Sequence, residues 1–444
     1  MAQGNAQDDE SFGSMTRALI PLLAVAAVAG VLVGLVGGSF HWLLTHGGAG
    51  FLALLAHWKT NGFLGLPGWL AAMVVVATSV AIARWLVTYA PSAAGSGVQH
   101  VEAVMREQAE PAPLRVLPIK YLGGLLAMIP GLALGREGPT IQMAAVIGTQ
   151  CGRLFGFSQS DRSMLYTAVA GCGLSVAFNA PLSGAAFVIE EVAHRTTMRR
   201  VLTTLVAIAT AMAVYRSYFG NEVEFLVSDF LTTSTVDLML FVVFGALVGG
   251  LGVLYNKSVL LGLNLFNNTA RKVSPVVKAG VIGALIGLVA YWQPQWVGGG
   301  ELQVNTILAG QLGMSALLVL LLVRWVLGPL SYSMGTPGGL FAPLLLVGAA
   351  TGALFASGAN VIMPATDLLS PSAFALVGMA AFFTAVVRAP VTGILLICEM
   401  SGTVSLMIPL LIASVMAALV ASLLRGEPIY DSLRTRMGLS AAKN

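Results

Sequence analysis

Charge is scarce in this chain. Only 9% of its 444 residues are Asp, Glu, Lys or Arg, where a soluble globular domain carries about 25%. With 57% hydrophobic residues and a mean hydropathy of +0.85, that scarcity excludes a soluble fold and leaves an all-α polytopic membrane protein. Cysteine is also rare. Cys151, Cys172 and Cys398 lie in or beside apolar segments with no CxxC spacing and read as small buried residues. HExxH and G-x-S-x-G are absent and the five histidines (His41, His46, His57, His100, His194) are scattered, so no enzyme, metal site or cofactor is expected. Residues 1–14 lack the basic start and cleavage site of a signal peptide and read as a short disordered tail. A net charge of +4 would suggest nucleic acid in a soluble protein. Here the basic residues sit in short loops, as membrane orientation requires, and no nucleic-acid partner is expected.

What the chain does have is apolar runs, near 17–37, 64–90, 114–134, 164–192, 201–219, 236–263, 277–292, 314–334, 342–363, 372–387, 391–400 and 404–424. Several are shorter than the roughly 20 residues that a membrane crossing needs, or are broken by Gly and Pro. Broken helices persist at membrane depth only where protein or a water-filled cavity surrounds them. With 51 Gly and 19 Pro, the expectation is a close-packed bundle with re-entrant pieces. The basic stretches His194 to Arg200, Arg271 to Lys278, and Arg425, Arg434, Arg436 and Lys443 at the end place those segments in the cytoplasm. Glu222, Glu224 and Asp229 put the 220–229 segment outside.

One stretch is costly where it stands. Gly135-Arg136-Glu137-Gly138-Pro139 places two charges between apolar runs, and charges at that depth mark function by default. The glycines permit unusual backbone angles, and Pro139 suits the first turn of a helix whose free N–H groups point back at Glu137. Two readings stand on these residues alone: an anion site containing a carboxylate, and an ordinary helix start with a paired Arg and Glu.

A repeat organises the rest. Ala180-Pro181-Leu182-Ser183-Gly184, continuing to Glu190, can be laid on Ala389-Pro390-Val391-Thr392-Gly393, continuing to Glu399, at a constant offset of 209 residues. A second glycine-rich interruption, Gly335 to Pro343, begins 200 residues after Gly135. Related halves place a substrate site at their interface, lined by interrupted helices. The expected organisation is a tail over 1–14, a first half over 15–219, an extracellular linker over 220–235 and a second half over 236–444.

Gly95-Ser96-Gly97-Val98-Gln99, the Gly135 to Pro139 stretch, Gly338-Gly339-Leu340-Phe341-Ala342-Pro343 and the late Tyr430 together resemble the signature elements of the CLC family of chloride channels and proton-coupled chloride antiporters. The resemblance implies an inverted-repeat bundle of tilted, partly re-entrant helices, a homodimer with an anion pathway in each subunit, membrane lipid as surroundings and both termini cytoplasmic. It implies chloride contacts from Ser96, Gly97, Leu340, Phe341 and Tyr430, with Gly135, Arg136, Gly138, Pro139 and Lys120 in support. Apart from the resemblance, Arg136 and Lys120 read as electrostatic support paired with Glu102. Glu137 would be the gating carboxylate, because an ionised carboxylate can occupy an anion position and must leave it when protonated. Glu190 has a counterpart in Glu399, which suggests a structural role repeated by symmetry. Glu191 has none and matches the internal proton acceptor of the exchangers, so chloride/proton exchange is expected, with a passive voltage- or pH-gated chloride channel as the alternative. Retained Ser96 and Tyr430 argue against the fluoride-exporting branch, and Ser96 favours chloride over nitrate. Gln99 departs from the pattern, which commonly has Pro there. The chain's length leaves no room for nucleotide-sensing cytoplasmic domains, and it implies a bacterial inner membrane.

Overall fold

In the computed structural model, residues 2–63, 65–192, 197–225, 227, 235–362 and 370–438 are described. His194, Arg195 and Lys443, used above for orientation, and Asp229 lie outside them. Helix accounts for 80% of the structure, and among the described residues seven helices are long and apolar enough to cross a membrane. Among the described residues there are no strands.

The first half holds α1 (Ala2–Asn61), α2 (Gly68–Leu86), α3 (Val98–Met105), α4 (Val116–Met128), α5 (Glu137–Leu154), α6 (Gln159–Phe178), α7 (Pro181–Phe187) and α8 (Met198–Phe219). The second holds α9 (Thr235–Asn268), α10 (Pro275–Trp292), α11 (Glu301–Leu308), α12 (Met314–Ser333), α13 (Phe341–Ile362), α14 (Pro371–Val387), α15 (Pro390–Ser401) and α16 (Met407–Leu423). A final α17 (Ile429–Arg436) has no counterpart. Helix α1 begins at Ala2, through the stretch that the sequence reads as a tail, and continues well past the expected apolar run ending at 37. No residue in that stretch forbids a helix, and Pro21 is accommodated inside it.

The repeat is visible in equivalent details. Helices α6 and α14 both open on a serine N-cap, Ser158 and Ser370, and both end on a left-handed residue, Asn179 (φ 52°) and Arg388 (φ 75°). Each is followed by an Ala-Pro that starts the next helix. Packing repeats as well: α5 lies on α6 as α13 lies on α14, and α1 on α8 as α9 on α16. Gly348 and Gly378 let α13 and α14 approach so closely that a Cβ on either would strike the other's carbonyl.

The halves meet through crossed caps. Glu190, in a π-helical turn after α7, accepts from the Val391 and Thr392 N–H groups (3.0 and 2.7 Å) and the Thr392 hydroxyl (2.8 Å) at the start of α15. Glu399, near the end of α15, accepts from the Leu182 and Ser183 N–H groups (2.9 and 2.8 Å) and the Ser183 hydroxyl at the start of α7. Each carboxylate thus satisfies the orphan donors of the other half's helix.

Two buried cations repeat in the same way. Lys120 on α4 donates to Ala93 O (3.1 Å) and Gly95 O (2.7 Å), clamping the loop that enters α3 through left-handed Gly97. Arg324 on α12, 204 residues later, donates to Trp296 O (3.2 Å), Gly298 O (2.7 Å) and Gly299 O (3.1 Å), clamping the loop that enters α11 through left-handed Gly300. The expected pairing of Lys120 with Glu102 is therefore wrong: the loop carbonyls of Ala93 and Gly95 take the ammonium instead. Replacing either cation by Met should destabilise the protein by about 3 kcal/mol or more, the loss of two charge-assisted hydrogen bonds at Lys120 and three at Arg324. Thermal denaturation in detergent measures this; unchanged midpoints in both variants would contradict the clamp.

Candidate functional site

Three interrupted segments are stitched together in the interior. Gly135 N donates to Gly339 O (2.9 Å) and Gly339 N returns the bond to Gly135 O (2.7 Å). Gly95 N donates to Thr336 O (3.1 Å) and Gly338 N to Gly95 O (3.1 Å). Glycine is required at these crossings. A Cβ at Gly138 would overlap Ser96 Oγ, one at Gly97 would overlap the Gln142 amide, and one at Gly339 would crowd Glu137 Oε1. The first turns of α3, α5 and α13 consequently converge, with their unpaired N–H groups and the positive ends of their dipoles.

Glu137 occupies that convergence. It is fully buried as the first residue of α5; Oε1 accepts from Ala342 N (3.1 Å), and the Phe341 N–H and its own N–H also face the carboxylate. Oε2 has no protein partner. The carboxylate thus sits where helix N-termini would hold a free anion. Pro139, also in the first turn of α5, contributes no N–H there.

Arg136 faces elsewhere. Its guanidinium donates to Ala177 O (2.7 Å) and pairs with Glu224 and with Glu301 (2.7 Å). His41 Nε2 lies 3.9 Å from Glu224, and His41 Nδ1 meets the Tyr215 hydroxyl at 2.9 Å. Two carboxylates engage Arg136, so it presents no free positive charge to an anion. Sequence reasoning missed both partners: Glu224 was used only to orient a loop, and Glu301 starts α11, too short a helix to stand out as an apolar run.

Ser96 and Tyr430 come together in the interior. Their hydroxyls face one another inside the protein, and neither has another protein partner. Tyr430, on α17, places its ring 5.8 Å from Phe341 of α13, and the adjacent Asp431 pairs with Arg106 (3.2 Å) and with Arg434. Phe341 is fixed in turn by Phe383 at 4.8 Å and Phe187 at 5.9 Å, and Leu340 is fully buried beside it. Lys120 lies behind the Ser96 loop, as described above.

Glu191 stands apart from this group. It is half-buried and hydrogen-bonds the side chain of Glu102, which α3 holds in the interior at 1% exposure. Glu190 points the other way, into the α15 cap, as a rotation of about 100° per residue demands. Tyr430 lies within electrostatic reach of both Glu137 and Glu102. The signal for Glu102 was present in the sequence: a carboxylate within an otherwise apolar turn, which finds a partner when buried.

The profile described as voltage gated chloride channel matches residues 79–422. The chain belongs to this family. It is 36% identical over 425 residues to the H(+)/Cl(-) exchange transporter ClcA of Vibrio parahaemolyticus, covering 94% of this chain and 89% of the relative. Against the ClcA of Vibrio cholerae serotype O1 it is 36% identical over 436 residues, covering 96% and 91%. A solved slow cyanobacterial Cl-/H+ antiporter superposes with a TM-score of 0.87 at 30% identity, covering 94% of this chain and 97% of that one. The fold is thus the inverted-repeat bundle of CLC transporters, and the protein is a multi-pass membrane protein of that family.

Proposed function

We propose that the chain exchanges chloride for protons across a bacterial inner membrane, as a homodimer with both termini in the cytoplasm. The observation that carries this reading is the Glu137 carboxylate seated on the N-terminus of α13, the place an anion would take. Ionised, Glu137 competes with chloride for those N–H groups; protonated, it loses that competition and admits the anion. Ser96, Gly97, Leu340, Phe341 and Tyr430 are the groups that would contact chloride along the route. Glu191 is the residue that would take protons from the cytoplasm. Its hydrogen bond to Glu102, and the electrostatic contact of Tyr430 with both Glu102 and Glu137, support a route toward the gate. The ClcA relatives and the cyanobacterial antiporter, exchangers by their names, support the same assignment. Arg271, Lys272, Lys278, Arg425, Arg434 and Arg436 support the orientation.

Simultaneous chloride and proton recordings in proteoliposomes test the reading. A chloride gradient should drive protons uphill, and Glu191→Gln should cut proton movement by about 100-fold, the scale of losing a proton-transfer group, while chloride still moves. Chloride flux that never moves a proton in the wild type would make the protein a passive channel.

A further inference from the structure

Gln99 and Tyr332 lie beside the Ser96–Tyr430 pair and have no part in the roles assigned so far. Gln99 is the second residue of α3 and 9% exposed; its side-chain amide faces the Tyr332 hydroxyl, and its Oε1 has no protein partner. Tyr332, in the last turn of α12, is 4% exposed, and its hydroxyl lies 3.5 Å from the Ser96 amide nitrogen. It also packs over Gly95, where an added Cβ would come within 3.0 Å of the hydroxyl, and it is an electrostatic neighbour of Tyr430. Four polar side chains from α3's entry, α12 and α17 therefore meet at one point. Ser96 Oγ and the Tyr430 hydroxyl, which face one another, and Gln99 Oε1 are buried with no other protein partner. Leu and Phe would fill the volumes of Gln99 and Tyr332 without burying any unpaired polar atom, so the amide and hydroxyl call for an occupant that uses them.

We propose that Gln99, oriented by Tyr332, is a further specificity-determining ligand of the anion route, donating an amide N–H alongside Ser96 and Tyr430. The inference rests on the reading of that route as an anion pathway. In the structure Oε1 is the unpartnered atom and the amide nitrogen meets the Tyr332 hydroxyl; a half-turn of the amide hands Oε1 to the Tyr332 O–H and leaves Nε2–H to face the anion. Chloride is compact and strongly hydrated, whereas nitrate spreads its charge and sheds water more easily. Directional donors compensate the costlier dehydration, so an added donor favours chloride over nitrate. Tyr332 is a positioning residue in this scheme, acting through the amide.

Calorimetric titration of the purified full-length chain with sodium chloride and sodium nitrate tests this without requiring transport. Gln99→Leu should lower the chloride-to-nitrate affinity ratio by about 10-fold and Tyr332→Phe by about 3-fold, the scale of one lost hydrogen bond and one weakened one. The double variant should fall no further than Gln99→Leu alone, because the two act as one unit. Ratios within about twofold of wild type in both single variants would overturn the inference, given that one hydrogen bond shifts an equilibrium by more than that. If Gln99→Leu fails to fold, Tyr332→Phe decides, since it removes a single oxygen. A wild type that binds chloride yet moves no proton sinks the exchange reading and leaves the affinity ratio to judge Gln99. A wild type that binds neither anion overturns both.

Discussion

Glu137→Gln is expected to abolish proton movement while chloride continues to pass. The amide resembles the protonated carboxyl in size and shape but cannot ionise, so it neither carries a proton nor competes as an anion for the N–H groups of Phe341 and Ala342. Proton flux should fall by about 100-fold or more, to the background of the vesicles. The wild type's chloride flux should rise as pH falls, because protonation releases the carboxylate from the α13 N-terminus; in the variant that dependence should vanish. Glu137→Ala should behave alike, since what matters is the loss of the ionisable group. Proteoliposome recordings at several pH values supply both readouts. Proton coupling that survives in both variants would mean that the carboxylate at the helix N-terminus is an ordinary cap, the other reading that the sequence left open. Arg136 bears on the same choice. Its bonds to Glu224, Glu301 and Ala177 O show that it is not the partner that such a reading would give Glu137.

Much of this was legible in the sequence because the informative features were local. Gly135 to Pro139, Gly338 to Pro343 and the Ala-Pro repeat each announce a broken helix through glycine and proline, and those breaks are what converge. What was not legible depends on contacts between distant segments. Lys120 and Arg324 occupy equivalent places, yet a lysine and an arginine 204 residues apart do not look like a repeat until both are seen clamping a loop. Glu102 was assigned to a cation because charge pairing is the usual answer for a buried carboxylate; its partner is a second carboxylate, Glu191, supplied by a π-helical turn that no periodicity reveals. Short helices are absent from the apolar runs for a different reason. Helices α3, α11 and α17 have eight residues each, too few for an apolar period to register.

The adjacent pair Glu190 and Glu191 allows the structural and the transport roles to be separated by experiment. Glu190 accepts two backbone N–H groups and a hydroxyl from α15, and Glu399 accepts the same set from α7. Removing either carboxylate leaves three donors at a helix start without their charged acceptor, and Glu190→Ala or Glu399→Ala should each cost about 3 kcal/mol or more. Because α7 packs directly on α15, the two caps share an interface. The double variant should therefore lose less than the sum of the singles, with a coupling of about 1 kcal/mol. Ser183→Ala, which removes one of Glu399's three donors, should cost about 1.5 kcal/mol. Thermal denaturation in detergent measures all four. The contrast with Glu191 is the decisive part: Glu190→Ala should lower stability and leave protons coupled to chloride in the protein that survives reconstitution. Glu191→Gln should keep its denaturation midpoint and lose the coupling. If instead Glu190→Ala uncouples protons at an undiminished midpoint, the proton acceptor is the capping carboxylate, and the route through Glu102 fails with it.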